Sequence, residues 1–216
     1  GKAAVSKDSL GNLLGDGLVL AEGDLWRRQR QRIQPAFAME RMSEYADVMA
    51  GRAADVADRW SPGETYDVED EMRGLTLRIL TQSMFGTDVD YDDRGIREAV
   101  ADLQAPGDPS NQALAYAVPQ WVPIKLWRRY DAAVSHLEAL IADVIAERRE
   151  RADEREDLLS MLLAVDDDHG RMDDEQIRDE IMTFLIAGHE TTATALTFAW
   201  YLLGTHPAAQ QRLHEE

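Results

Sequence analysis

The chain has 216 residues, 44% of them hydrophobic and 30% charged, a balance typical of a soluble globular protein with one domain or most of one. Aspartate and glutamate outnumber lysine and arginine by 41 to 23, and the resulting net charge of −18 argues against nucleic acid as a partner. The sequence contains no cysteine, which excludes a disulfide, a nucleophilic thiol and any cysteine-bound metal within this chain.

The first strong helix signal begins at Asp24, a possible N-cap for a basic run, after a glycine-punctuated segment that we expect to form short turns. Trp26 and Arg30 lie four residues apart and share one face, whereas Arg28 and Arg32 share roughly the opposite face. By itself such a stripe is either a solvated surface or a contact for a phosphate or an acidic partner. The solvated surface is the commoner case.

Five further helices are predicted between residues 40 and 165, and Gly86 follows the second of them where a left-handed cap is expected. The stretches Pro106–Asn111 and Tyr116–Pro123 are predicted to be the least regular part of the chain. The acidic run Asp166–Gly170 breaks calcium-loop spacing and predicts a connecting turn. The five helices are 40–60, 69–85, Ile96–Leu103, Ile124–Arg151 and Asp157–Val165.

The longest predicted helix runs from about residue 174 to residue 204, with Asp173 as its start signal and Pro207 just beyond its end. About 30 residues at 1.5 Å per residue give a rod on the order of 45 Å long. Small side chains recur every three or four positions along its middle and therefore form a strip on one face. The strip consists of Ala187, Gly188, Thr191, Thr194 and Ala195, with Phe184 and Phe198 on either side.

A carboxylate and a hydroxyl accompany this strip. Glu190 is the only carboxylate between Phe184 and Leu203, and a buried carboxylate of this kind is a candidate proton donor. Thr191 can donate its hydroxyl hydrogen to a carbonyl one turn earlier. The small-residue gap beside these two groups indicates a proton-delivery site.

Three other interpretations of the long helix compete with a proton-delivery site. A packed core helix needs small residues only for close helix contact. A membrane span is disfavoured by the polar pair His189 and Glu190 near its middle and by the acidic residues before it. A zinc helix of the HExxH type is excluded because the fourth residue after His189 is Ala193. With no signal-peptide pattern either, we expect a cytoplasmic protein.

The run AGHETT, within DEQIRDEIMTFLIAGHETTATALTFAWYLLGTHP, resembles the distal I-helix signature of the cytochrome P-450 haem-thiolate monooxygenases. Every fixed position of the family pattern is matched. The earlier run WRRQRQRIQPAF resembles the family's C-helix motif, and the final HPAAQQRLHEE resembles the start of the helix after the I-helix. The matching I-helix positions are Ala187, Gly188, Glu190, Thr191 and Thr192.

The resemblance implies roles for particular residues. Trp26 and Arg30 fall on the positions that hydrogen-bond a haem propionate, which suits their N–H donors. Thr191 is implied to hydrogen-bond the bound dioxygen, and Glu190 to supply protons through water. Ala187 and Gly188 are implied to leave room for oxygen and substrate.

For His189 no role is implied, because it occupies a variable position of the motif. Arg28 and Arg32, if they face outward, form a hypothetical docking surface for an acidic electron-transfer protein.

The expected fold is all-α: a partial cytochrome P-450 helical fold over residues 1–216, with the C to I helices and the start of J as one partial domain. The N-terminal sheet region, the ExxR helix and the haem-cysteine loop have no counterpart in the sequence. We therefore expect a fragment whose haem thiolate is not in this chain and which is inactive by itself.

As an intact protein it is expected to be a haem-dependent monooxygenase that inserts one atom of O2 into a small hydrophobic organic substrate. A ferredoxin or a reductase would supply the electrons. The alternative is a catalytically silent all-helical interaction module.

Overall fold

Almost all of the regular structure is helical in the computed structural model, which describes residues 10–87, 95–150, 157–167 and 170–215. A short helical stretch at residues 10–14 comes first, and two 3-10 turns occupy Gln34–Phe37 and Ala105–Gly107. The helices, numbered in chain order from there, are α1 (Gly23–Ile33), α2 (Met39–Arg59), α3 (Val68–Phe85), α4 (Ile96–Gln104), α5 (Pro109–Ala117), α6 (Lys125–Glu150), α7 (Leu158–Ala164), α8 (Asp174–Thr205) and α9 (Pro207–Glu215).

The two strands, β1 (Asp166–Asp167) and β2 (Gly170–Arg171), pair antiparallel between α7 and α8. The predicted all-α fold is thus confirmed, and the predicted helices are found with ends displaced by about one residue. None of the described helices contains an apolar stretch long enough to cross a membrane.

Helix caps explain why several boundaries were predictable. Asp173 accepts a hydrogen bond from the backbone N–H of Gln176 at 2.8 Å, so it satisfies one of the unpaired donors at the start of α8. At the end of α3, Gly86 adopts the left-handed conformation with a φ of 57°. These two residues carry the start and stop signals that the sequence displays.

Two helix starts differ from the prediction. Helix α5 begins inside the stretch expected to be irregular, because Pro109 is tolerated in a first helical turn and Asp108 caps it through the N–H of Ser110 at 2.7 Å. Helix α1 begins at Gly23, and Asp24 lies within its first turn, where it pairs with Arg27 at 2.6 Å. Asp24 is therefore not the N-cap.

The described residues form two compact units. The first unit takes its residues from 1–36 and 91–183, and the second takes its residues from 37–90 and 184–216. Helix α8 contributes to both, with Thr183 its last residue in the first unit and Phe184 its first in the second. The single partial domain expected over residues 1–216 stays a prediction.

In the first unit, α4 packs along α6 and α1 packs against α7. The largest fully buried side chains of this unit are mostly aliphatic, and most of them come from α6, α7 and the first half of α8. They include Leu137, Leu158, Leu159, Leu162, Ile177 and Met182. Burying a leucine or isoleucine side chain is worth about 1.5–3 kcal/mol, so this cluster is a main source of the unit's stability.

The loop before α1 lies directly on the first half of α8. The backbone N–H of Asp16 donates to Asp179 Oδ2 at 2.7 Å, and that of Leu18 donates to Glu180 Oε2 at 3.0 Å. Gly17 makes this approach possible, because a Cβ there would overlap Thr183 Oγ1 and come within 2.6 Å of the Asp179 carbonyl oxygen. Two helix carboxylates therefore hold backbone amides of the loop.

In the second unit, α2 packs on α3, and the second half of α8 contributes to the same core. The buried cluster consists of Val56, Met72, Leu75 and Ala193. Trp60 extends it, since its ring stacks on Tyr66 with a centroid separation of 5.5 Å and meets the edge of Trp200 at 5.4 Å. Several apolar residues at the end of α8 stay exposed, namely Phe198, Tyr201 and Leu202.

We expect Gly17→Ala to lower the free energy of unfolding by about 1–3 kcal/mol, because the added methyl group forces the loop away from α8. Urea denaturation monitored by circular dichroism measures the change. Gly11→Ala is the matched control, since Gly11 is in the helical stretch at residues 10–14 and a Cβ there meets nothing within 4 Å. An equal loss of stability in both variants would contradict the packing argument.

Candidate functional site

The small-residue strip of α8 lies at the surface of the second unit. Ala187, Thr191, Thr194 and Ala195 are exposed, and Gly188 is half-buried. The opposite face holds Leu185, His189 and Ala193, which recur every four residues and are buried. The strip is thus the exposed side of α8, and the opposite side packs into the core of the second unit.

Both threonines of the motif donate hydrogen bonds to their own helix. Thr191 Oγ1 donates to the Ala187 carbonyl oxygen at 2.7 Å, as the sequence suggested, and Thr192 Oγ1 donates to that of Gly188 at 2.8 Å. A hydroxyl that donates in this way keeps lone pairs that can accept another hydrogen bond. The Thr191 oxygen therefore offers an acceptor at the surface of the strip.

Glu190, at the edge of the strip, faces a cation from α3. Its Oε1 lies 3.9 Å from Arg73 Nη2, and the Glu190 side chain is 30% exposed. Arg73 also pairs with Glu69 at 2.8 Å, one turn earlier on α3. The carboxylate is therefore both reachable by water and close to a positive charge.

Sequence reasoning missed Arg73. The spacing of Glu69 and Arg73 marks an ordinary pair along one helix. Nothing local connects Arg73 with Glu190, which is 117 positions away in the chain.

His189 belongs to the core. Its side chain is fully buried, and Nδ1 lies 2.5 Å from the Leu185 carbonyl oxygen, which can only accept, so Nδ1 carries the hydrogen. Burial lowers the pKa of His189 below its ordinary value, against smaller opposing effects of the Leu185 bond and of Glu190, and this keeps the ring neutral. The buried position separates His189 from the exposed strip.

Gly188 faces a neighbouring helix. A Cβ at this position would come within 3.1 and 3.3 Å of the two terminal methyl carbons of Leu80 on α3. In the described structure, the absence of a side chain at Gly188 thus serves close contact between α8 and α3. Ala187, one residue earlier, is exposed.

Trp26 and Arg30 form a separate pair on α1, in the first unit. The Arg30 guanidinium carbon lies 5.5 Å from the centre of the Trp26 ring, within the range of a cation–π interaction. Arg30 is exposed, Trp26 is half-buried, and within the described ranges no carboxylate pairs with Arg30. The stacked guanidinium presents its N–H donors to the surface, an arrangement that suits a carboxylate.

Arg32 does not face outward as the docking hypothesis required. Its side chain is only 7% exposed and forms two hydrogen bonds with Asp167, at 2.7 and 2.9 Å. A third bond, at 2.9 Å, reaches the Gly170 carbonyl oxygen, so Arg32 ties α1 to the β1–β2 hairpin. Residues 166–171 are distant in sequence, which is why the helical pattern of α1 gave no sign of this role.

Comparisons with known proteins agree across almost the whole chain. The family model described as Cytochrome P450 matches residues 2–216. Cyclooctatin synthase of Streptomyces melanosporofaciens is 36% identical over 97% of this chain and 46% of its own length. Pentalenene oxygenase of Streptomyces avermitilis is 32% identical over 100% of this chain and 48% of its own length.

A solved structure, the haem domain of cytochrome P450DA, superposes with a TM-score of 0.80 at 29% identity, and the match covers 97% of this chain and 47% of that one. The chain thus spans about half the length of these similar proteins.

The contact between Gly188 and Leu80 yields a stability prediction. We expect Gly188→Val to destabilise the chain by about 1–3 kcal/mol, because the new side chain must displace Leu80. In a Leu80→Ala background the same substitution should cost at least about 0.5 kcal/mol less. Urea denaturation of the four proteins of this double-mutant cycle measures the coupling, and strictly additive effects would refute the contact.

Proposed function

Because the chain belongs to the cytochrome P450 family, we propose that the intact protein is a monooxygenase that inserts one atom of O2 into a small hydrophobic organic substrate. The observation that carries this proposal is the uncovered strip of α8, on which the exposed hydroxyl of Thr191 adjoins the water-accessible carboxylate of Glu190. Haem is the family's prosthetic group and, when bound, supplies the oxidation chemistry.

We assign the handling of protons to Glu190 and Thr191. Glu190 is exposed enough to exchange protons with water, and its Oε1 lies 3.9 Å from Arg73 Nη2. The carboxylate can therefore take a proton from solvent and pass it to water beside the strip. Thr191 accepts a hydrogen bond from that water through its free lone pairs, while Ala187 adds little bulk next to it.

Trp26 and Arg30 fit a haem propionate by their donor chemistry. An exposed guanidinium stacked on an indole offers several N–H donors in a fixed plane, which is the arrangement that binds a carboxylate best. We propose that Arg30 binds a propionate and that Trp26 holds the guanidinium in place and adds its own indole N–H. The sequence has no cysteine, so the thiolate ligand must come from outside this chain, which we expect to be inactive alone.

An electron donor is also part of the proposal. A similar protein of Bacillus subtilis, 34% identical over 94% of this chain, is a bifunctional cytochrome P450/NADPH–P450 reductase. We propose either a fused reductase of that kind or a separate ferredoxin. The cytoplasmic location stays a prediction.

The coding sequence provides the test that separates this function from the alternative, a silent interaction module. The DNA that follows the codon for Glu216 should encode an ExxR helix and a glycine-flanked cysteine. The longer product, once reduced and exposed to carbon monoxide, should show a thiolate-type carbonyl absorption band. A longer product without such a cysteine would refute the monooxygenase and favour the interaction module.

In that longer, haem-loaded protein we expect Thr191→Ala to divert reducing equivalents to hydrogen peroxide, because the strip loses its hydroxyl acceptor. Product formed per NADPH oxidised should fall by up to about 30-fold, which corresponds to a loss of about 2 kcal/mol of transition-state stabilisation. Thr192→Ala removes a similar helix bond to Gly188 and is the matched control. Equal product yields per NADPH in the Thr191 variant and the parent would remove Thr191 from the mechanism.

For Arg30→Gln we expect faster loss of haem, because the charge-assisted hydrogen bonds to the propionate disappear. The rate of haem transfer to an excess of an acceptor protein measures this without any activity assay. Arg27→Gln is the control, since Arg27 is exposed and, among the residues that the structure describes, pairs with Asp24 alone across a surface contact of 2.6 Å. Identical transfer rates for the two variants would refute the role of Arg30.

A further inference from the structure

Three buried polar atoms surround the loop of residues 15–18 without a hydrogen-bond partner among the described residues: Gln29 Oε1, Glu180 Oε1 and Thr183 Oγ1. Each belongs to a side chain that contacts this loop. Gln29 Nε2 donates to the Asp16 carbonyl oxygen at 2.8 Å, Glu180 Oε2 accepts from the Leu18 N–H at 3.0 Å, and Thr183 Oγ1 fills the space left by Gly17. All three unpaired atoms therefore belong to buried side chains that pack against the loop, from α1 and from α8.

The burial of Glu180 and the unpartnered Oε1 atom favour a neutral side chain. The Gln29 amide oxygen can only accept a hydrogen bond, and an ionised Glu180 would add a second buried acceptor without a partner. Leaving such a group unpaired costs about 1–3 kcal/mol, and more when it is charged. A neutral carboxylic acid instead places no charge at this buried oxygen, for which the described residues provide no partner.

The negative charge of the neighbouring Asp179 also favours a neutral Glu180. On α8, Asp179 adjoins Glu180, and its carboxylate is shared between the Asp16 N–H and Arg178, which also pairs with Glu138 of α6. From α1 the facing side chain is the uncharged Gln29, and the loop's own Asp16 is exposed. Burial, offset by the Leu18 bond and reinforced by Asp179, raises the pKa of Glu180 from 4.5 to about 7.

We propose that Glu180 is a proton-dependent latch: its neutral form holds the loop of residues 15–18 closed on α8, and loss of its proton releases the loop. Haem and oxygen play no part in this device, so the latch and the proposed monooxygenase function can fail independently. The released segment is the one that leads into α1.

The direction of the pH dependence follows from the raised pKa. The closed state binds the proton more tightly than the open state does, so the latch is fully effective below the ordinary pKa of 4.5 and weakens as the pH rises through about 7. The ratio of closed to open loops should therefore fall on the order of 50-fold between about pH 5 and about pH 8, and should level off above that.

Hydrogen–deuterium exchange on the 216-residue chain tests the latch. Protection factors, corrected for the intrinsic pH dependence of exchange, should drop for the amide of Leu18 over this pH range. In Glu180→Gln the protection should become independent of pH, because the amide stays neutral and still presents an oxygen to Leu18. A Leu18 amide equally protected at both ends of the range, or a drop of the same size in Glu180→Gln, would overturn the proposal.

Two further variants sharpen the result. Asp179→Asn should move the midpoint of the drop to lower pH, because the neighbouring negative charge that raises the pKa is gone. Glu175→Gln, at an exposed position of the same helix, should leave the midpoint unchanged. If Glu180→Gln does not fold, carbon-13 NMR of the parent decides the question: a Glu180 carboxyl that titrates near 7 supports the latch, and one that titrates near 4.5 refutes it.

Discussion

The helical repeat of α8 is the constraint on which the candidate site depends. Leu185, His189 and Ala193 are buried at intervals of four residues, and this fixes which side of the helix faces the core of the second unit. Thr76 reinforces the contact by donating to the His189 carbonyl oxygen at 2.9 Å. Thr191 lies two residues from both His189 and Ala193, about 200° around the axis, and is directed outward. The chemistry of the strip thus follows from packing on the opposite side.

Much of the fold was predictable because its signals are local. Apolar periodicity and the caps at Asp173 and Gly86 fixed the helices to within about one residue. The motif around Thr191 was readable for the same reason, since its residues share one helix face by spacing alone. Helix α5 was not predicted because a proline usually interrupts a helix. Pro109 instead occupies the first position of α5, directly after the N-cap Asp108, where a proline is common.

What the sequence did not predict depends on contacts between distant segments. The partners of Glu190 and Arg32 are Arg73 and Asp167, and no local pattern connects either pair. Gly188 was expected to make room for oxygen and substrate, but its close neighbour in the structure is Leu80. A periodicity argument identifies a face, whereas the occupant of that face is decided by another part of the chain.

The same limit applies to the carboxylates early in α8. Among so many acidic residues, Asp179 and Glu180 look like members of a solvated helix start. The structure buries both and uses them to hold the amides of Asp16 and Leu18. Gly17, which lacks the side chain that would prevent the approach, was the one local sign of this contact.

The bond from Thr191 to the Ala187 carbonyl has a consequence for the direction in which hydrogen can travel. While its hydrogen is donated to the backbone, the hydroxyl can accept a hydrogen bond but cannot relay a proton. The carbonyl oxygen that receives this hydrogen bond has no proton of its own to transfer. To relay a proton, Thr191 must first swing its O–H away, at the expense of one hydrogen bond worth about 0.5–1.5 kcal/mol. Rotation about the Cβ–Oγ1 bond would then control proton transfer at the helix surface. The cost of this rotation is small enough for it to occur readily at room temperature.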